Sequence, residues 1–112
     1  MKYALLIYAS DAQWDALSED EQKAVYGEYA AVGETPGIVG GSQLGPADTA
    51  TTVRVQDGST LTTDGPFAET KEALGGFFLF EADNLDDATA LAARIPAARM
   101  GGAVEVRPLV EM

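Results

Sequence analysis

The sequence predicts an α+β fold in which strands and helices follow the order βαββαβ with one added hairpin. Two of the strand patterns are apolar on both faces, and two amphipathic helix patterns separate the strands. The length of 112 residues corresponds to a single domain, residues 1–112. This is the order of a ferredoxin-like split βαβ domain. Its first and third core strands are central, and these are the two doubly apolar strands.

The first strand and the first helix occupy the N-terminal third of the chain. Residues 2–8 are predicted to form a strand whose two faces are Tyr3, Leu5 and Ile7 against Ala4, Leu6 and Tyr8. The helix begins at Ser18-Glu19-Asp20-Glu21, a capping box in which Ser18 is the N-cap. Val25, Tyr29 and Val32 then follow at i, i+4 and i+7. We interpret Trp14 as packing on the start of this helix rather than as a ligand platform.

The middle of the chain predicts one strand with a hairpin return. Ile38-Val39-Gly40-Gly41 is rich in glycine and predicts an irregular crossing. Thr51–Val55 predicts the second core strand, Asp57-Gly58 is a hairpin signal, and Thr60–Thr62 is the expected return.

The last third predicts a central strand, a helix and a final strand. Residues 76–82 place Phe78 and Phe80 on one face and Phe77 and Leu79 on the other. Asp83 or Asn84 caps the second helix, whose apolar stripe is Leu85, Ala88, Leu91, Ala92 and Ile95, and Pro96 ends it. In the last strand, Ala103–Arg107, valines alternate with charged residues.

Composition excludes several functional classes. The net charge of −11 disfavours binding to nucleic acid or anionic lipid, and no apolar run reaches the roughly 18–20 residues that cross a membrane. The chain has no cysteine and no histidine, which excludes disulfides, thiolate metal sites and the usual general base near neutral pH. We therefore expect a cytoplasmic protein without a metal or another cofactor.

The predicted sheet has one face without a cover. Two helices cover one face, and the opposite face still carries tyrosine, leucine and phenylalanine side chains. A second copy of the chain, packed sheet against sheet, is the simplest cover. We therefore expect a homodimer with an α+β-barrel interior.

Four segments resemble the YCII-related proteins, and in particular the subgroup named for an Asp-Gly-Pro-Phe (DGPF) motif. They are residues 2–8, residues 51–55, residues 63–77 with Asp64-Gly65-Pro66-Phe67, and residues 104–108. The resemblance implies a dimeric α+β barrel. Some members are described with a His-Asp pair as an acid–base device, and one branch is linked to dehalogenation of hydroxylated aromatics. Because this chain has no histidine, only Asp64 can correspond to the acid member. Members of the subgroup are often encoded beside extracytoplasmic-function sigma factors, which implies a regulatory role and a functional link to such a factor.

The segment from Asp64 to Lys71 contains most of the candidate site residues. Asp64 is a candidate acid–base group, and a hydrophobic neighbour such as Phe67 could raise the proton affinity of its carboxylate. Alternatively, Asp-Gly-Pro simply forms a turn, in which the Asp side chain bonds to the main chain two residues further on. Glu69 and Lys71 could bind a small anionic or aromatic ligand, or could be solvated loop charges. Tyr8 could present a hydroxyl to a ligand or could pack in the core or at an interface.

Three functions fit these residues. The preferred hypothesis is a ligand-binding or regulatory module with a small-molecule pocket beside the DGPF motif. The first alternative is an enzyme of lyase, isomerase or dehalogenase type that uses Asp64 as its acid–base group. The second alternative is a dimer in which the motif is purely structural.

Overall fold

The computed structural model describes residues 1–68, 70 and 72–111. Its strands are β1 (Lys2–Ala9), β2 (Ile38–Gln43), β3 (Thr51–Gln56), β4 (Ser59–Asp64), β5 (Ala73–Glu81) and β6 (Ala103–Pro108). Its helices are α1 (Asp11–Asp15), α2 (Glu19–Gly33) and α3 (Leu85–Ala92), with short 3-10 turns at Ala47–Thr49 and Pro96–Ala98. Within the described residues, no helix is both long and apolar enough to cross a membrane.

The main sheet is antiparallel and has the strand order β2-β5-β1-β6. This is the strand order of a ferredoxin-like domain, so the predicted fold class is confirmed. The two strands that are apolar on both faces, β1 and β5, are the two central ones, as their pattern predicts. They pair from Lys2 opposite Glu81 to Ala9 opposite Ala73, with an irregularity between Ile7 and Tyr8.

The second core strand is β2, and the assignment of that role to Thr51–Val55 is wrong. The predicted irregular crossing at Ile38–Gly41 is an edge strand paired with β5. Its glycines reflect a close approach rather than a break: a Cβ on Gly41 would lie 2.5 Å from the carbonyl oxygen of Phe77. Gly41 also has a φ of +150°, which side chains rarely adopt. Glycine is therefore what allows β2 to lie against the aromatic strand.

Strands β3 and β4 form a separate two-stranded sheet, which we call the arm (residues 51–64). The hairpin predicted at Asp57-Gly58 is confirmed, since both residues have positive φ angles, 52° and 79°. The amide of Gly65 donates to the carbonyl of Ala50 over 2.7 Å, and this bond closes the base of the arm. Apart from the half-buried Thr52, all arm residues are exposed.

Both predicted helix caps are present. The amide of Glu21 donates to the Ser18 hydroxyl over 3.1 Å, and the Ser18 amide donates to the Glu21 carboxylate over 3.0 Å. The Ser18 amide, with a smaller contribution from the Ser18 hydroxyl, holds the pKa of the Glu21 carboxyl below its ordinary value. In α3 the amide of Asp87 donates to the Asn84 side chain over 2.9 Å. The predicted stripe of α3 is confirmed except at Leu85, which is 52% exposed because it is the first helical residue.

One face of the main sheet forms the hydrophobic core. Tyr3, Leu5 and Ile7 of β1 and Phe80 of β5 pack against the helices. The helical side of the core consists of Val32, Ala88, Leu91, Ala92 and Ile95.

The opposite face, which we call the open face, carries the alternate residues of the two central strands. These are Ala4, Leu6, Tyr8, Phe77 and Leu79, all only partly buried. Leu6 lies opposite Phe77 on one side and opposite Glu105 on the other. In the part of the chain that the structure describes, no helix covers the open face, which is an apolar surface.

Candidate functional site

The DGPF motif lies at the base of the arm. Asp64 is the last residue of β4, lies opposite Thr51 and is exposed. Gly65 follows with a φ of +101°, a turn conformation that glycine adopts more readily than other residues. Phe67 is 74% exposed, and its ring lies 4.7 Å from the Arg54 guanidinium in a cation–π contact. The motif therefore contacts the arm through Phe67.

The other candidates from the sequence lie elsewhere. Tyr8 lies on the open face, opposite Leu74 of β5 and Ala103 of β6. Glu69 and Lys71 fall outside the described residues. The structure thus places Asp64 and Phe67 together at the arm and Tyr8 on the main sheet. Their roles in binding or catalysis stay predictions.

A cavity of about 500 Å³ lies beneath α2. We call it the α2 cavity. Its walls are the end of β1 with α1, two tyrosines of α2, residues 41–47 at the end of β2, and residues 73–78 at the start of β5. This volume is within the range of small-molecule sites. Asp64, Phe67 and Tyr8 are not among the described residues that line it.

Three aromatic side chains from the two N-terminal helices line one side of the α2 cavity: Trp14 of α1, and Tyr26 and Tyr29 of α2. The rings of Trp14 and Tyr26 have centroids 5.0 Å apart and planes at 71°, an edge-to-face pair. The Gln22 side chain donates to the Trp14 carbonyl over 3.1 Å and so ties α1 to α2. Trp14 therefore packs on the start of α2, as we interpreted, and also lines the cavity.

The opposite wall includes main chain at Gly41 of β2 and at Gly75 and Gly76 of β5. A Cβ on Gly76 would lie 3.0 Å from the carbonyl oxygen of Ser42, so glycine keeps these strands in close contact. Gly75 also lines the cavity, at the bulge where β5 pairs irregularly with β1. Because these residues lack side chains, the wall leaves room for a ligand and exposes main-chain groups to it.

A few polar groups line the α2 cavity. Ser10 is 7% exposed, and its side chain makes no capping bond to α1 in the described structure. Asp11, at the start of α1, is exposed and supplies a carboxylate. Gln43 contributes an amide from the end of β2, where it lies opposite Gly76. This lining combines apolar contact with a small number of hydrogen-bonding groups.

The surroundings of Tyr29 change the pKa of its phenol. Burial raises the pKa of Tyr29, and this effect outweighs the hydrogen bond from the main chain of Ala97 and the charge of Arg99, which both lower it. The phenol therefore stays protonated at neutral pH. It can donate or accept a hydrogen bond, but it is a poor base there.

The α2 cavity was not found by sequence reasoning. Its residues come from four separated stretches, and no motif connects them. The sequence of α2 contains one weak indication of the cavity. Tyr26 lies three residues before Tyr29 and outside the core-facing stripe of Val25 and Val32. Among the described residues, no group of three histidine, cysteine or carboxylate side chains could hold a metal ion.

Comparison with known proteins assigns the chain to a family. The sequence profile of the YCII-related domain matches residues 1–112. An uncharacterised protein of Rhizobium meliloti (strain 1021) is 39% identical over 114 residues, an alignment that covers 97% of this chain and 92% of that protein. The match extends through the core strands, the arm and the residues around the α2 cavity. The chain therefore belongs to the YCII-related family.

Proposed function

We propose that this protein is a small-molecule binding module whose site is the α2 cavity. The observation that carries the proposal is a cavity of about 500 Å³ whose lining includes three aromatic side chains from α1 and α2 and a few polar groups. Aromatic rings supply a large contact area at low cost in conformational entropy, and isolated polar groups fix the orientation of a ligand. The chain has neither histidine nor cysteine, so binding without turnover is the simpler use of this cavity.

The position of the DGPF motif supports a regulatory use of the site. Five residues separate the motif from β5 in the sequence, and the first residues of β5, from Ala73 to Gly76, line the cavity. A ligand in the cavity would therefore contact the strand that follows the motif. The expected functional link to an extracytoplasmic-function sigma factor and the placement in the DGPF subgroup rest on sequence resemblance.

We also propose that the protein is a homodimer in which two open faces pack together. The support is the apolar row of Leu6, Phe77 and Leu79, side chains that remain partly exposed in the single chain. Such a contact is isologous, since each copy offers the same surface to the other. It would close the barrel that the family resemblance implies, and it leaves the α2 cavity on the helical side of each sheet.

A fragment titration followed by amide NMR tests the binding site. The fragments are phenol, benzoate, choline and 3,3-dimethylbutan-1-ol, each added to the full chain. We expect at least one of them to shift the amides of Ser10, Tyr29 and Ser42, which line the cavity from three directions. Shifts confined to Asp64 and the rest of the arm, or no saturable shifts with any fragment, would contradict the proposal.

Two variants sharpen this test. Tyr26→Leu removes a cavity ring and should weaken fragment binding, whereas Phe67→Leu makes the same kind of change outside the cavity and should leave binding unchanged. Chemical conversion of a bound fragment during the titration would instead favour the enzyme hypothesis. In that case Asp64→Asn should abolish conversion if Asp64 is the acid–base group.

A further inference from the structure

We propose that the α2 cavity selects small organic cations of the alkylammonium class over neutral and anionic molecules of the same shape. This inference rests on the proposed binding function and adds the charge of the ligand to it. Two independent features of the lining carry it: the arrangement of the aromatic rings, and the sign of the charge that the described residues supply.

The aromatic rings form a corner. The planes of Trp14 and Tyr26 meet at 71° with centroids 5.0 Å apart, and Tyr29 lines the same cavity one helical turn further along α2. In this edge-to-face pair one ring covers part of a face of the other, while the ring that supplies the edge keeps both of its own faces free for a ligand. A cation is attracted to the negative face of an aromatic ring that is left free, and tryptophan is the most effective ring for this contact.

The charge of the described lining is negative. Asp11 is the one ionisable carboxylate among the described lining residues, and those residues include no lysine or arginine. It lies three residues before Trp14, on the same short helix, and so places its charge near the aromatic corner. The net charge of −11 adds a long-range field that concentrates cations and repels anions.

The polar groups at the end of β1 and β2 suit the remainder of such a ligand. Ser10 offers a hydroxyl group, and Gln43 offers an amide. A hydroxyl or carbonyl carried on a short chain from the ammonium group can bond to these residues. The competing expectation is the anionic ligand suggested by Lys71, which lies outside the described residues.

A series of three probes of one shape separates the alternatives. Choline is the cation, 3,3-dimethylbutan-1-ol is its neutral isostere, and 3,3-dimethylbutanoate is the anion. Trp14 is the single tryptophan of the chain, so its fluorescence reports directly on the cavity, and calorimetry supplies the affinities. We expect choline to bind about tenfold more tightly than the neutral alcohol, and the anion to bind more weakly than either.

The results distinguish this inference from the binding function itself. Equal affinity for choline and the alcohol would overturn cation selectivity while leaving a small-molecule site intact. Tightest binding of the anion would overturn it in favour of the expectation from Lys71. No binding of any probe, together with an absence of amide shifts at the cavity, would remove the binding function as well.

A matched pair of variants tests the carboxylate. Asp11→Asn should weaken choline binding several-fold and leave the alcohol unchanged, because only the charged probe senses the carboxylate. Asp15→Asn changes the same charge on the same helix at a residue that does not line the cavity, and it should leave both affinities unchanged. An equal loss in both variants would point to general electrostatics and would contradict the assigned role of Asp11. The comparison of probes in the unmodified protein does not depend on either variant folding.

Discussion

Leu5 and Leu6 are neighbours on β1 that point to opposite faces of the sheet, and their truncation should have different consequences. Leu5 is 0% exposed in the core, whereas Leu6 lies on the open face and is partly buried. Leu5→Ala removes three carbons, a transfer cost of about 2.4 kcal/mol at about 0.8 kcal/mol for each. The cavity left in a central strand raises the loss of unfolding free energy to about 3–5 kcal/mol. Leu6→Ala should cost about 1 kcal/mol or less within one chain.

Urea denaturation and sedimentation equilibrium together check this prediction. Leu5→Ala should lower the urea midpoint by about 1.5–2.5 M, given a typical dependence of about 2 kcal/mol per molar urea. Leu6→Ala should instead raise the dissociation constant of the proposed dimer about tenfold, which corresponds to about 1.4 kcal/mol of lost contact. The assignment of the faces would be refuted if Leu6→Ala destabilised the fold as much as Leu5→Ala. A dimer dissociation constant that Leu6→Ala leaves unchanged would refute packing through the open face.

Three further predictions concern caps and glycines, and urea denaturation measures each of them. Ser18→Ala should lower the free energy of unfolding by about 1 kcal/mol through loss of the N-cap, while Ser59→Ala, at an exposed site, should stay within about 0.5 kcal/mol. The lowered pKa of Glu21 contributes stability above its ordinary pKa of 4.5, and this contribution is lost as the pH falls through the lowered value. Glu21→Gln should therefore weaken the pH dependence of stability between about pH 3 and 6, and an unchanged slope would contradict this role. Gly37→Ala should cost about 2–4 kcal/mol, because φ is +100° and a Cβ would lie 2.7 Å from a main-chain oxygen of β5. Gly27→Ala, on exposed α2 with no atom within 4 Å of a Cβ, should instead add up to about 1 kcal/mol.

Much of the fold could be predicted because its signals are local. The capping box at Ser18 and the cap at Asn84 depend on residues three positions apart, and both are present as expected. The sequences of β1 and β5 are apolar on both faces. Such a strand is either buried on both faces or requires a second layer over its open face, and both cases place it at the centre of the sheet. Local propensity and the burial pattern agree at these positions.

The second core strand could not be predicted because its identity depends on pairing rather than on propensity. Thr51–Val55 has the β-branched composition of a strand, and it does form one, but it pairs only with the return strand of its own hairpin. Gly40 and Gly41 read as a break, yet they lie on the edge strand of the main sheet. The reason appears only in three dimensions, where β5 leaves no room for a Cβ on Gly41.

The candidate site was harder to predict than the fold. The DGPF segment concentrates turn residues and charges in one stretch, and such a stretch is conspicuous in a sequence. The α2 cavity is assembled from distant segments by the packing of α1 and α2 on the ends of three strands. Trp14 and Tyr29 each have an adequate explanation in helix packing, so nothing in the sequence separates that role from ligand contact.

The hydrogen bond between Gly65 and Ala50 has a consequence for how the chain can vary. Because it brings the two ends of the arm together, the fourteen residues from 51 to 64 enter and leave the domain at nearly one point. The main sheet does not depend on their pairing, since β3 and β4 bond to each other. We therefore expect this hairpin to behave as an interchangeable insert, which a short glycine-containing loop could replace or a longer hairpin could extend without loss of the remaining fold.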